Sequence, residues 1–104
     1  MVKPLEVTQQ VYPDDIARDL ARAVGILKTA GCREVYLFGS MATGAHHAGS
    51  DLDLAVRGCP PQSFFQCLGQ LLSDLSYPVD LVDLDLPSPF VDALLRSETL
   101  VQID

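Results

Sequence analysis

The feature that most restricts this chain is a pair of short apolar runs joined by a glycine-serine turn. Val35-Tyr36-Leu37-Phe38 stops at Gly39-Ser40, ten residues of mostly small side chains follow, and Asp51-Leu52-Asp53-Leu54-Ala55-Val56 begins. Apolar runs this short, bounded by turn residues, read as buried strands. Side chains on a strand alternate between faces, so Asp51 and Asp53 project together from one face at a strand's start. Two neighbouring carboxylates repel each other unless a cation lies between them. A Gly-Ser turn leading into a helix offers backbone N–H groups to a phosphate. A cation site beside a phosphate site is the equipment of phosphoryl or nucleotidyl transfer.

The flanking sequence supplies the rest of a layered fold. Pro13-Asp14-Asp15 starts a helix, with proline in the first turn and acids against the positive end of the dipole. Ile16, Leu20, Val24 and Leu27 follow at helical spacing, Arg18 and Arg22 lie on the other side, and Gly31 is placed to cap the end. The pattern predicts a helix over 14–29 and strands over 35–38 and 52–56. Pro60-Pro61 opens a second helix, with Phe64, Phe65, Leu68, Leu71, Leu72 and Leu75 on or near its buried side. Pro78 ends that segment, and 79–84 forms a third strand. Pro87-Ser88-Pro89 turns into a short helix over 90–97, where Phe90, Val91, Leu94 and Leu95 are expected in the core, and 100–103 suggests a terminal strand. The expected class is α/β (α+β): one small mixed sheet flanked by helices. Residues 1–104 form a single domain, with 1–12 either flexible or a short edge strand.

Charge and composition exclude several roles. A net charge of −7 does not suit a general nucleic-acid binder, which needs a basic surface to displace counterions. No apolar run approaches the roughly 18–20 residues of a membrane span, and the first residues carry no signal-peptide pattern, so a cytoplasmic location is expected. Cys32, Cys59 and Cys67 show no C-x-x-C spacing and are expected as free thiols.

The stretches Leu37-Phe38-Gly39-Ser40 and Gly49-Ser50-Asp51-Leu52-Asp53-Leu54-Ala55-Val56 resemble the nucleotidyltransferase superfamily that includes DNA polymerase β. The likeness is to its smallest form, the minimal nucleotidyltransferase (MNT) domain. Tyr77-Pro78-Val79-Asp80-Leu81-Val82 resembles that family's third-carboxylate strand, and 89–103 its closing helix and strand. The resemblance covers residues 14–103. It implies a minimal polymerase-β-like fold. Asp51, Asp53 and Asp80 are then the catalytic acids and the ligands of two Mg²⁺ ions, and Gly39 and Ser40 bind the phosphates of ATP.

By strand period Asp80 and Asp83 face opposite ways, and the family pattern selects Asp80. Asp83 and Asp85, a second Asp-x-Asp, are then expected as solvated acids at the strand's exit. The chain departs from the family where basic residues often stand: Met41 follows the Gly-Ser pair, and His46-His47 occupy the loop before the acids. No segment resembles an acceptor-binding domain. MNT domains of this size resemble antitoxins paired with a HEPN-domain ribonuclease toxin, some of which move AMP from ATP to a tyrosine hydroxyl of the toxin. The implied partner is therefore a HEPN-type protein. The alternative implied role is a weak or inactive MNT module that neutralises its partner by binding alone.

Overall fold

The computed structural model describes residues 14–39, 42 and 51–104. Expectations for residues 1–12, Ser40, Met41, His46 and His47 lie outside the described residues.

The first helix, α1 (Asp14–Thr29), has the bounds its sequence pattern predicts. Asp14 and Asp15 sit in its first turn and Lys28 in its last, each opposing the dipole end it faces. Ile16, Leu20, Ala23 and Leu27 are buried along one stripe. The helix closes in a left-handed turn at Gly31, with φ of 105°. Gly31 N–H donates to Lys28 O at 3.0 Å and Cys32 N–H to Leu27 O at 3.0 Å, the paired bonds of a Schellman cap.

Strands β1 (Glu34–Phe38), β2 (Leu52–Arg57), β3 (Val79–Asp83) and β4 (Val101–Gln102) form one sheet in the order β3-β2-β1-β4. β1 lies antiparallel to β2 and β4, and β2 runs parallel to β3. The parallel pair is joined through α2 (Pro61–Asp74), the crossover that parallel neighbours require. Helices α1 and α2 cover one face, where Leu20, Leu27, Val35, Leu37, Leu52, Leu54, Val56 and Leu71 pack together. The opposite face is covered in part by α3 (Pro89–Arg96), whose Val91 and Leu94 meet Phe38, Ala55 and Leu84. The Ser88 side chain caps α3, its Oγ accepting from Val91 N–H at 3.0 Å. None of the helices among the described residues is long and apolar enough to cross a membrane.

Three expectations need correction. Phe65 and Leu72, assigned to the buried side of α2, are exposed, because Cys67 and Leu71 define the face that meets the sheet. Phe90 and Leu95 are exposed on α3, while their neighbours Val91 and Leu94 are buried. Cys32 and Cys59 are joined in a disulfide, leaving Cys67 as the buried free thiol. The register that pairs Glu34 with Arg57 carries Cys32 directly opposite Cys59, beyond the end of the β1–β2 pair. Sequence spacing could not foresee this, since the two cysteines are 27 residues apart and only the hairpin register brings them together.

Candidate active site

The β1–β2–β3 registers decide which acids meet. Leu52, Leu54 and Val56 face α1 and α2, so Asp53 shares the opposite face with Ala55. On β3, Leu81 packs with the first core and Val82 with the second, which puts Asp80 on the same side as Asp53. The parallel register pairs Asp53 directly with Asp80, and the antiparallel one pairs Asp53 with Phe38. Asp51 lies just outside β2 and is exposed, as is Asp80, whereas Asp53 is half-buried.

The carboxyl of Asp53 registers this crowding. Burial pushes its pKa above the usual carboxylate range, and the charges of Asp80 and then Asp51 push it further. The ion pairs among the described residues, Lys28–Asp104 and Arg57–Glu34, involve none of the three acids.

Gly39 closes the site from β1. Its φ of 73° is left-handed. A side chain there would overlap the Asp53 carboxylate oxygen Oδ2 and lie 3.1 Å from its Cγ. The missing Cβ thus leaves room for the Asp53 carboxylate against the turn.

The acids expected as mere solvated groups at the exit of β3 have a local task. Asp83 Oδ1 accepts from Asp85 N–H at 2.9 Å, and Asp85 Oδ2 accepts from Gly58 N–H at 2.7 Å. They fasten the turn at the opposite end of the strand from Asp80, and Asp83 faces away from the site.

Sequence reasoning missed one supporting residue. Asp19 is buried on the inner stripe of α1 and accepts from the N–H groups of Ser76 and Tyr77, both at 2.9 Å. Asp15 adds a bond from the Tyr77 hydroxyl at 2.8 Å. Together they hold the turn that delivers β3, and hence Asp80, beside β2. The available signal was an acid three residues after Ile16 and four before Ala23, in the middle of an apolar stripe.

The arrangement fits a divalent cation by its chemistry. Hard carboxylate oxygens suit Mg²⁺, which binds through a few carboxylates and completes its shell with water and substrate phosphates. Among the described residues, no group of three or more His, Cys, Asp or Glu side chains is gathered closely enough to hold a metal ion by itself. An open set of this kind, with Asp51 and Asp80 exposed, leaves positions for a ligand's own oxygens.

The family model described as Polymerase beta, Nucleotidyltransferase matches residues 24–103. The fold and the acid-bearing strands are those of nucleotidyltransferases, and the chain belongs to the polymerase β nucleotidyltransferase family. Its solved relatives narrow the likeness to MNT proteins. A toxin–antitoxin crystal structure with AMP-PNP is 27% identical, covers 82% of this chain and 72% of that one, and superposes with a TM-score of 0.67. A candidate minimal nucleotidyltransferase is 26% identical over 78% of this chain and 87% of its own, with a TM-score of 0.62. The Shewanella oneidensis complex of a tri-AMPylated HEPN toxin with its MNT antitoxin shares the fold at 22% identity, covering 85% and 71%, with a TM-score of 0.62. No curated protein matches the sequence significantly.

Proposed function

We propose that the protein is an MNT antitoxin that transfers AMP from ATP to a hydroxyl, a tyrosine's, of a HEPN-type ribonuclease partner. The observation that carries this reading is the register of Asp53 with Asp80, with Asp51 near enough to act on the Asp53 carboxyl and the Gly39 backbone against Asp53. The relatives supply the partner class: the antitoxins they contain are bound to toxins, and one of those toxins carries AMP.

Asp51, Asp53 and Asp80 would hold Mg²⁺, two ions in this reading, which would supply positive charge to offset that of the triphosphate. The chain's own residues position the reactants. The Gly39–Ser40 turn receives the β- and γ-phosphates, and the absence of a side chain at Gly39 lets them lie close to the backbone. Asp80, exposed at the start of β3, faces the incoming hydroxyl and accepts its proton. The hydroxyl oxygen bonds to the α-phosphorus, the bond from that phosphorus to the bridging oxygen breaks, and pyrophosphate leaves.

Incubation of the protein with labelled ATP, Mg²⁺ and the product of the adjacent gene tests this. Label is expected on a tyrosine of the partner and is expected to vanish with Asp53→Asn. Partner neutralisation that persists in the double variant Asp51→Asn, Asp53→Asn would instead establish inhibition by binding alone.

A further inference from the structure

Phe90 is 56% exposed although it opens the first turn of an amphipathic helix whose next residue, Val91, is buried. Its ring is not loose. It stands edge-on against Phe38, with centroids 6.3 Å apart and planes at 60°. Phe38 is buried and is the cross-strand partner of Asp53. Antiparallel partners have Cα atoms about 4.5–5.5 Å apart, so the Phe38 ring that Phe90 touches springs from the position next to Asp53. Phe38, Asp53 and Asp80 share the face on which α3 packs. The exposed ring of Phe90 is therefore on the acids' side of the sheet, in contact with the residue that pairs with Asp53.

We propose that Phe90 is the stacking platform for the base of the bound nucleotide. The proposal rests on the nucleotidyl-transfer reading and adds the element that reading lacks, a surface for the part of ATP that is not phosphate. With the α-phosphate at the acids, the ribose bridges the width of Phe38 and the base reaches the Phe90 ring. Phe38 fixes that ring from below, so stacking orders few additional torsions. A hydrocarbon ring face carries no hydrogen-bonding code. Selectivity at this platform therefore follows stacking area: purine nucleotides bind more tightly than pyrimidine nucleotides, with little discrimination between adenine and guanine.

The chain contains no tryptophan, so Phe90→Trp installs a single indole reporter. In the full-length protein with Mg²⁺, its fluorescence is expected to be quenched saturably by ATP and GTP, and not by tripolyphosphate, which has no base. In calorimetry, Phe90→Ala is expected to bind ATP roughly ten- to hundredfold more weakly than the unsubstituted protein while binding tripolyphosphate equally well. Because Phe90 is largely exposed, Phe90→Leu controls for packing and should retain the fold while losing most of the same affinity. Equal ATP affinity in Phe90→Ala, or equal quenching by ATP and tripolyphosphate, overturns the platform while leaving nucleotidyl transfer intact. Quenching by the partner protein but not by ATP assigns Phe90 to the protein interface instead and also overturns it. If the unsubstituted protein binds neither ATP nor tripolyphosphate, the transfer reading itself fails and the platform falls with it.

Discussion

Asp53 and Asp80 occupy matched positions on neighbouring parallel strands, with their side chains on the same face of the sheet. The pair is 27 residues apart in sequence and is brought together by the α2 crossover between the two strands. Their proximity raises the pKa of Asp53 after burial has already done so, and Asp51 adds to the effect. Electrostatic tension in the absence of a cation becomes attraction in its presence.

Asp53→Asn should separate activity from stability. Transfer should fall by roughly a hundredfold or more, the scale of losing a main electrostatic stabiliser. The metal-free fold should be unharmed or stabilised. Asp53 titrates at a higher pH when folded than when unfolded, so its favourable contribution is complete below the unfolded carboxylate pKa and is lost as pH rises through the folded value. Urea midpoints measured without divalent ions should therefore show the original protein losing ground to Asp53→Asn as pH rises across the carboxylate range.

Added Mg²⁺ should reverse that loss. A ligand that binds only the folded state raises its stability by mass action. The midpoint of the original protein at neutral pH should climb with Mg²⁺ concentration, and that of the double variant Asp51→Asn, Asp53→Asn should stay flat. Parallel curves for the two proteins would mean that the acids do not hold the ion.

Gly39→Ala should damage both fold and site. The left-handed backbone costs a residue with a side chain about 1–2 kcal/mol, and the added methyl also overlaps the Asp53 carboxylate. Thermal unfolding should report a loss of that size or more, with transfer reduced beyond what the unfolded fraction explains.

Asp19→Ala removes the acceptor for two N–H groups at the head of β3. Both bonds are part-buried, so losing the shared acceptor should cost about 1–3 kcal/mol in all. The loss of stability should be accompanied by reduced transfer at temperatures where the protein is still folded, because Asp80 follows the same turn. Asp15→Ala, which loses the exposed Tyr77 hydroxyl bond and the bond from Ile16 N–H but leaves the two donors at the head of β3 paired, should have a smaller effect on transfer.

The corrected face of α2 gives a packing test. Leu71→Ala should cost about 2–5 kcal/mol, since Leu71 is fully enclosed against the sheet. Leu72→Ala, one residue along, should be nearly neutral because its side chain is largely in solvent.

The helix and strand bounds were legible in the chain itself because they depend on local signals. α1 was readable from Pro13, two acids and a 3.6-residue apolar period ending at Gly31, and β2 from alternation after Asp51. Strand period alone sufficed to send Asp80 and Asp83 opposite ways, whereas Asp51 lies just outside β2, where that period does not fix its face. Which residues of α2 are buried was not legible in the same way. Its apolar residues form one broad stripe, and the choice of Cys67 and Leu71 at one edge over Phe65 and Leu72 at the other depends on where the sheet lies.

Sequence by itself determined the element order and the opposite facing of Asp80 and Asp83, because both follow from bonds and periods within a few residues. Tertiary structure decided the matching of Asp53 with Asp80, the anchoring of the β3 turn by Asp19, the joining of Cys32 to Cys59, and the exposure of Phe90 against Phe38. Each of these is a contact between distant segments, fixed by strand register and helix docking rather than by any local preference of the residues that make it.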